Sequence, residues 1–426
     1  MENLPTTAIL IGAGGRGTDA YAAYALIHPD ELKIVAVCEP DEFRRDNIRT
    51  LHALPEERCF SSWEELLLLP VIADTALICT QDQMHYKPAI ALMKAGYDLL
   101  LEKPMSNNPF ECLDIANTAD SLKRKIVVCH VLRYTPFFMQ VKNLIGNGRI
   151  GKIVTIQHSE NIAYWHFAMS YVRGAWRNQT QSSPIILAKC CHDMDILNWL
   201  IEDECTHIVS FGSLQYFKSE NAPAGAPLKC QDGCPVAGEC PWCAPRFYLE
   251  NERFLYLYTD AKKENTRGEK LDALLHSNHG RCVFRSDNDA CDSLVALLQY
   301  RNGATVTFTM SAFTHDCTRI IRIMGTKGEI IGDMDGNRID VLDFYPGGKE
   351  TINIKTIEGD IHFGGDEGIM REFVVMMKDG YHGEIKSSAG ISLDSHLMAF
   401  AAEESRTSGR IINIDEYKKE LQKGKE

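Results

Sequence analysis

Ala8-Ile9-Leu10-Ile11 runs directly into Gly12-Ala13-Gly14-Gly15-Arg16-Gly17, and the reading of this stretch decides the fold. Four apolar residues in a row have the length of a strand buried on both faces. The six that follow fit G-x-G-x-x-G, a weak pattern alone because glycine-rich turns are common. Placed after a strand and opening a helix, it has the context of a dinucleotide-binding turn. Gly12 permits the tight turn, Gly14 lets backbone approach a pyrophosphate, and Gly17 allows close packing of helix on strand. Gly15 and Arg16 complete the loop, and the helix N-terminus offers free N–H groups and a positive dipole end to phosphate. Glu39 follows the second apolar run, Ile34–Cys38. A carboxylate there accepts hydrogen bonds from ribose hydroxyls and repels a 2′-phosphate, so NAD is favoured over NADP. Arg44 and Arg45 are the residues that would serve a 2′-phosphate instead.

Outward from this turn, strand and helix patterns alternate for about 130 residues. Thr75–Cys79, Asp98–Leu101 and Ile126–Cys129 are further strand-like runs, with helix patterns over Asp41–Leu54, Glu64–Leu69, Tyr86–Ala95 and Pro109–Leu122. Ser62 and Glu65 form a capping-box pattern, and Gly96 sits at a helix stop. The rhythm then changes. Ile150–Ile156, Thr206–Leu214, Leu294–Tyr300, Thr305–Ser311, Ile320–Met324, Gly328–Ile331 and Ile339–Phe344 read as strands with few helices between, and Asn302-Gly303 as a hairpin turn. The expected fold is α/β: an N-terminal Rossmann domain over 1–130, then an α+β domain over 131–426 with a large open, mainly antiparallel sheet. Within the second domain, 217–290 reads as a Cys-rich insertion and 393–406 as a C-terminal helix.

The chain carries a net charge of −13, from 45 basic and 58 acidic residues, which argues against nucleic acid or an anionic membrane as partner. No apolar window approaches the roughly 20 residues of a membrane span. The residues before Ala8 lack the charged start and apolar stretch of a signal peptide. Most of the 15 cysteines sit singly in apolar runs, as in a reducing compartment. A cytoplasmic location is expected.

Further stretches carry a resemblance. They are Thr80…His85, Glu102-Lys103-Pro104, Arg133-Tyr134-x-Pro136, Gly148-x-x-Gly151, His192-x-x-Asp195 and Met324-Gly325-Thr326-Lys327-Gly328-Glu329. Together with the glycine loop they resemble the Gfo/Idh/MocA family of sugar and inositol dehydrogenases over nearly the whole chain outside the Cys-rich insertion. The resemblance implies an NAD-dependent oxidoreductase acting on a sugar or cyclitol, with Thr80, His85, Glu102 and Lys103 at the cofactor. It also implies Lys103 between nicotinamide and substrate, a cis bond before Pro104, and a homodimer or homotetramer. An ammonium beside the reacting hydroxyl stabilises developing alkoxide. His85 and His130 read equally as lining the nicotinamide pocket or as satisfied interior histidines.

The family pattern places an Asp four residues before the catalytic His, but here that position is Ala188. Lys189, three before His192, would share a helix face with it. His192 is the expected general acid/base, since imidazole is poised near neutral pH. Lys189 would bind a substrate hydroxyl or acidic substituent, and Asp195 would orient His192 or bind a hydroxyl. Tyr164, Trp165, His166, Arg173 and Trp176 combine the aromatic faces and polar donors that carbohydrate sites need. The extra basic groups leave a second chemistry open, an NAD-recycling glycosidase that oxidises, eliminates, hydrates and reduces. A non-catalytic NAD sensor is the third reading. Cys230, Cys234, Cys240 and Cys243 suit Zn or an Fe–S cluster in residue type, though their spacing matches no standard pattern, and reduced or paired thiols are the alternative.

Overall fold

The computed structural model describes residues 4–250, 266–355, 363–378 and 383–423. Part of the Cys-rich insertion, 251–265, lies outside the described residues. The first sheet is parallel and has six strands: β1 (Thr6–Ile11), β2 (Leu32–Cys38), β3 (Cys59–Phe60), β4 (Thr75–Ile78), β5 (Asp98–Leu101) and β6 (Ile126–Val128). Their order is β3-β2-β1-β4-β5-β6, so the chain reverses direction across the sheet between β1 and β4. Ligands of open parallel sheets bind in the crevice at such a reversal, beyond the strand C-termini. The chain signals sit where expected. The Ser62 N–H donates to Glu65 Oε1, and Gly96 ends its helix at φ 107°.

Both faces of this sheet are apolar because alternate side chains point opposite ways and both must be covered. Ile9, Ile78, Leu99 and Val128 join the large core shared with the second half of the chain. Leu10, Leu77 and Leu100 pack with Ile369, Phe373 and Val374 of the helix Gly365–Met377. A segment far down the chain thus returns to cover the first sheet, across the expected boundary near residue 130.

The second sheet has nine strands. They are β7 (Ile153–Ala163), β8 (Cys205–Ser213), β9 (Ser293–Tyr300), β10 (Thr305–Thr314), β11 (Thr318–Gly325), β12 (Gly328–Asp333), β13 (Arg338–Asp343), β14 (Gly348–Asn353) and β15 (Ile412–Asn413). They lie in the order β14-β13-β12-β11-β7-β10-β9-β8-β15. Every pairing is antiparallel but one, β7 with β10, which makes the sheet mixed. Asn302-Gly303 turns β9 into β10 with Gly303 at φ 89°. One face is buried under the helices Cys191–Ile201 and Ala389–Ser408. The other is open and carries Phe211, Leu297, Phe313 and Val295 exposed.

The insertion is locally folded. It holds helices Ala244–Glu250 and Arg267–His276, and a bridge between Lys229 and Arg281 ties its two ends. Cys230, Cys234, Cys240, Cys243 and a fifth thiol, Cys282, line one small apolar cavity, and all are free. Among the described residues no group of three or more His, Cys, Asp or Glu side chains is posed to hold a metal ion, so Zn or Fe–S finds no support in this geometry.

Candidate active site

β1 ends at Ile11, and the chain turns at Gly12 with φ +88°; a Cβ there would lie 2.8 Å from the Cys79 carbonyl oxygen. A Cβ on Gly17 would lie 2.2 Å from the Gly12 oxygen, which fixes the close packing of helix on strand. Gly14 has open space where its side chain would be. Beside the loop, Thr80 Oγ1 is buried without a protein partner. Glu39 lies against the loop, accepting from the Ala13 N–H at 2.7 Å and the Asp41 N–H at 3.0 Å. A carboxylate has about four acceptor sites, so two remain for hydroxyls. Arg45 spends one guanidinium nitrogen on the Glu39 and Pro40 carbonyls. An open cradle, an orphaned hydroxyl and an acidic cap fit NAD, which the backbone of 12–17, Thr80 and Glu39 would hold. Replacing Glu39 with Ala removes charged-acceptor hydrogen bonds and is expected to weaken NAD binding by about 10–100-fold. Nucleotide titration of protein fluorescence reads the loss.

Arg16 does not reach into this cradle through its side chain. Its guanidinium bonds Glu102 Oε1 at 2.8 Å, Asp366 at 2.7 Å and the Tyr21 hydroxyl. Burial alone would raise the Glu102 pKa, but Arg16 and Lys103 overcome it and hold the carboxyl below its ordinary range. Glu102 also accepts from the Lys103 N–H, so the Glu-Lys-Pro turn is braced from its own side chain. The Lys103–Pro104 bond is cis. His85 resolves to an interior brace: its ring nitrogens lie 2.7 Å from the Pro104 oxygen and 3.0 Å from the Thr80 oxygen.

Lys103 projects from the C-terminal edge of the sheet and donates to the Ala188 carbonyl at 2.9 Å. That carbonyl is free because a one-turn helix, Ile185–Ala188, ends there. The expected continuous helix is broken: a new one starts at Cys191. Lys189 therefore does not share a helix face with His192. Its ammonium points to Glu160 of β7, 3.6 Å away. Glu160 is also paired with Arg319, and the β7–β11 register sets these two opposite one another. Arg319 binds Asp193 as well, and His158 bonds Asp193 at 2.8 Å.

His192 sits in the first turn of its helix, 8% exposed and so nearly enclosed. Its ring centroid is 5.9 Å from that of His130 at an interplanar angle of 81°. Asp195 is engaged inside the protein. It takes both prongs of Arg133, at 2.6 and 2.7 Å, with both groups buried.

Two more expected substrate contacts have structural employment. Arg173, 2% exposed, donates to the Arg281 and Trp242 carbonyls and to Cys230 Sγ, pinning the Cys-rich insertion. Trp176 donates its indole N–H to Asp82, which also accepts from Ser182 and Ser183. Tyr164 and His166 stay half-buried at the end of β7, His166 Nδ1 lying 3.3 Å from Cys317 Sγ. Sequence reasoning missed Glu160, Arg319 and Asp82. Only strand register and loop closure place them, and neither leaves a local pattern.

Residues 7–130 match the oxidoreductase family with an NAD-binding Rossmann fold, and 142–353 match the C-terminal α/β domain of the same Gfo/Idh/MocA family. YteT of Bacillus subtilis (strain 168), named as an oxidoreductase, is 23% identical over 315 residues, 70% of this chain and 71% of that protein. The inositol 2-dehydrogenase/D-chiro-inositol 3-dehydrogenase of Lactiplantibacillus plantarum is 29% identical over 158 residues, covering 35% of this chain and 41% of that one. The fold is shared with a levoglucosan dehydrogenase solved with NADH and levoglucosan, at a TM-score of 0.71 and 17% identity, covering 96% of this chain and 99% of that one.

Proposed function

The chain belongs to the Gfo/Idh/MocA family of NAD-binding oxidoreductases, and on that premise we propose that it is a dehydrogenase moving a hydride between NAD and a secondary alcohol of a sugar or cyclitol. One observation carries the reading. The Lys103 ammonium, at the edge of the nucleotide-binding sheet, is anchored on Ala188 just ahead of the His192 helix. This contact supports reading Lys103 as the cation for the reacting oxygen and His192, on the helix that follows, as the base for its proton. When bound, NAD supplies the hydride acceptor. The rest falls to the protein. Lys103 donates to the substrate oxygen and stabilises negative charge as it forms. His192 takes the hydroxyl proton, and Glu160 with Lys189 forms a polar wall able to hold further hydroxyls. The names of the inositol and levoglucosan dehydrogenases support this substrate class.

The test incubates the protein with NAD and a panel of free sugars, cyclitols and chromogenic glycosides, following NADH and leaving-group release together. NADH accumulating with a free sugar or cyclitol is the expected result. Leaving group released without net NADH would replace the dehydrogenase by the NAD-recycling glycosidase, with Lys189 reread as elimination machinery. The exposed apolar face of the second sheet is where we place self-association. Sedimentation at micromolar concentration should show a dimer or tetramer, and a monomer would remove the proposal.

A further inference from the structure

Lys103 carries its ammonium on a flexible four-carbon stem, so its position is set by what the ammonium bonds. That partner is the Ala188 carbonyl, 2.9 Å away. Ala188 ends the one-turn helix Ile185–Ala188, and isolated helices shorter than about 12 residues do not hold themselves together in water. Upstream, from Arg173 to Ile185, the chain runs through turns without helix or strand. The place of the carbonyl therefore depends on what holds this loop.

On the cofactor side it is held by Asp82. This residue follows β4, on the turn that also leads into His85, and is 3% exposed. Its Oδ1 accepts the Trp176 indole N–H at 3.0 Å, and its Oδ2 accepts the Ser182 and Ser183 hydroxyls at 3.2 and 2.7 Å. All three donors belong to the loop. Enclosing a carboxylate opposes folding unless donors replace its water, and hydrogen bonds to a charged acceptor are the strong ones. Asn107 adds a second tie, its Nδ2 donating to the Ser182 carbonyl at 2.7 Å. Both ties start beside the Glu102-Lys103-Pro104 turn. His85, next to Asp82, lies 2.7 Å from the Pro104 oxygen, and Asn107 comes just after Pro104 in the chain. At the other end, Ser183 leads through Pro184 straight into the helix that stops at Ala188. The carbonyl that receives Lys103 is thus tied back to the same edge of the sheet from which Lys103 projects.

We propose that Asp82 is a positioning residue acting through Lys103: its clasp on Trp176, Ser182 and Ser183 fixes the Ala188 carbonyl, and with it the ammonium, at the reacting oxygen. This rests on the dehydrogenase reading above. A misplacement of about 1 Å at a reacting centre costs on the order of 10²-fold in rate. The nucleotide contacts at 12–17 and Glu39 lie outside the clasp, so the loss falls on turnover rather than on NAD binding. Asparagine keeps an acceptor for the indole, and serine hydroxyls are able to turn and accept from its amide, so Asp82→Asn keeps most of the clasp. Asp82→Ala keeps none of it.

The test places Asp82→Ala and Asp82→Asn in the wild type and Asp82→Ala in a Lys103→Met background, all loaded with NAD. With the best substrate of the panel, Asp82→Ala should lower kcat about 10–10²-fold at little change in either KM, and Asp82→Asn should recover most of that rate. In the Lys103→Met background the same Asp82→Ala change should cost less than about threefold, because the group it places is gone; independent sites would give equal losses in both backgrounds. Reductive methylation of Lys103, followed by peptide mass, should run severalfold faster in Asp82→Ala as the anchor loosens. Equal losses in the two backgrounds overturn the proposal, as does an Asp82→Ala kcat within threefold of wild type, a loss confined to NAD affinity, or methylation of Lys103 at the wild-type rate. Should no panel compound be turned over, the dehydrogenase reading fails by itself, while the methylation rates still decide whether Asp82 places Lys103. Should Asp82→Ala not fold, Ser183→Ala, which removes only the 2.7 Å hydroxyl, carries the same comparisons.

Discussion

Lys103→Met lowers kcat/KM by about 10²–10³-fold, the size of losing one preorganised donor to a developing oxyanion, about 3–4 kcal/mol. Methionine keeps the unbranched stem and removes only the ammonium, so the fall reports charge rather than packing. The fold should survive. Lys103 is half-buried, its ammonium bonds a single carbonyl, and Glu102 keeps Arg16 and Tyr21 as partners. Nucleotide binding should change little, because the cradle is built from the backbone of 12–17. Lys103→Arg restores the charge but presents a planar fork to a site shaped for a compact ammonium, and should recover only a fraction of the rate. The measurement is steady-state NADH formation with the best panel substrate, beside nucleotide titration and thermal melting. A Lys103→Met enzyme within tenfold of wild type would remove Lys103 from the chemistry.

His192→Asn lowers kcat by about 10²–10⁴-fold with NAD affinity retained, as removal of a positioned base should. Asn is close to imidazole in its first atoms and offers a hydrogen bond, yet it takes no proton near neutral pH. The loss should shrink as pH rises, because free hydroxide then replaces part of the missing base. Lys189→Met is the paired control. Its ammonium faces Glu160 and it lies outside the helix that carries His192, so the substitution should raise the substrate KM and change kcat by less than about tenfold. If the two variants exchanged these signatures, Lys189 would be the base and His192 a substrate ligand. Rates at several pH values with each variant decide between them.

The nucleotide-binding half was legible because its information is local. A glycine that must turn at positive φ, an apolar run of strand length and an acid after the second strand are each readable without a neighbour. The same holds for Glu102-Lys103-Pro104, whose backbone braces lie within a few residues. The substrate half was read by residue type and fared worse. Arg173, Trp176 and Asp195 have the right chemistry for a sugar, and all three are engaged inside the protein, by Cys230 and two carbonyls, by Asp82, and by Arg133. Side-chain type states what a group is able to bind. It says nothing of which partner reaches it first. The Lys189–His192 pairing failed for a related reason: it presumed a continuous helix where the chain breaks between Ala188 and Cys191.

By itself, the order of residues determined the parallel sheet of the NAD-binding Rossmann fold, its glycine turn and the lysine that follows the fifth strand. These follow from backbone sterics and short-range periodicity, which act over a few residues wherever the segment finds itself. Tertiary structure alone decided which polar groups remain available at the cleft. β7 and β11 had to pair before Glu160 met Arg319, and Gly365–Met377 had to cover the first sheet before Asp366 met Arg16. A buried polar group takes its role from whatever else is buried with it, since water no longer competes for its hydrogen bonds.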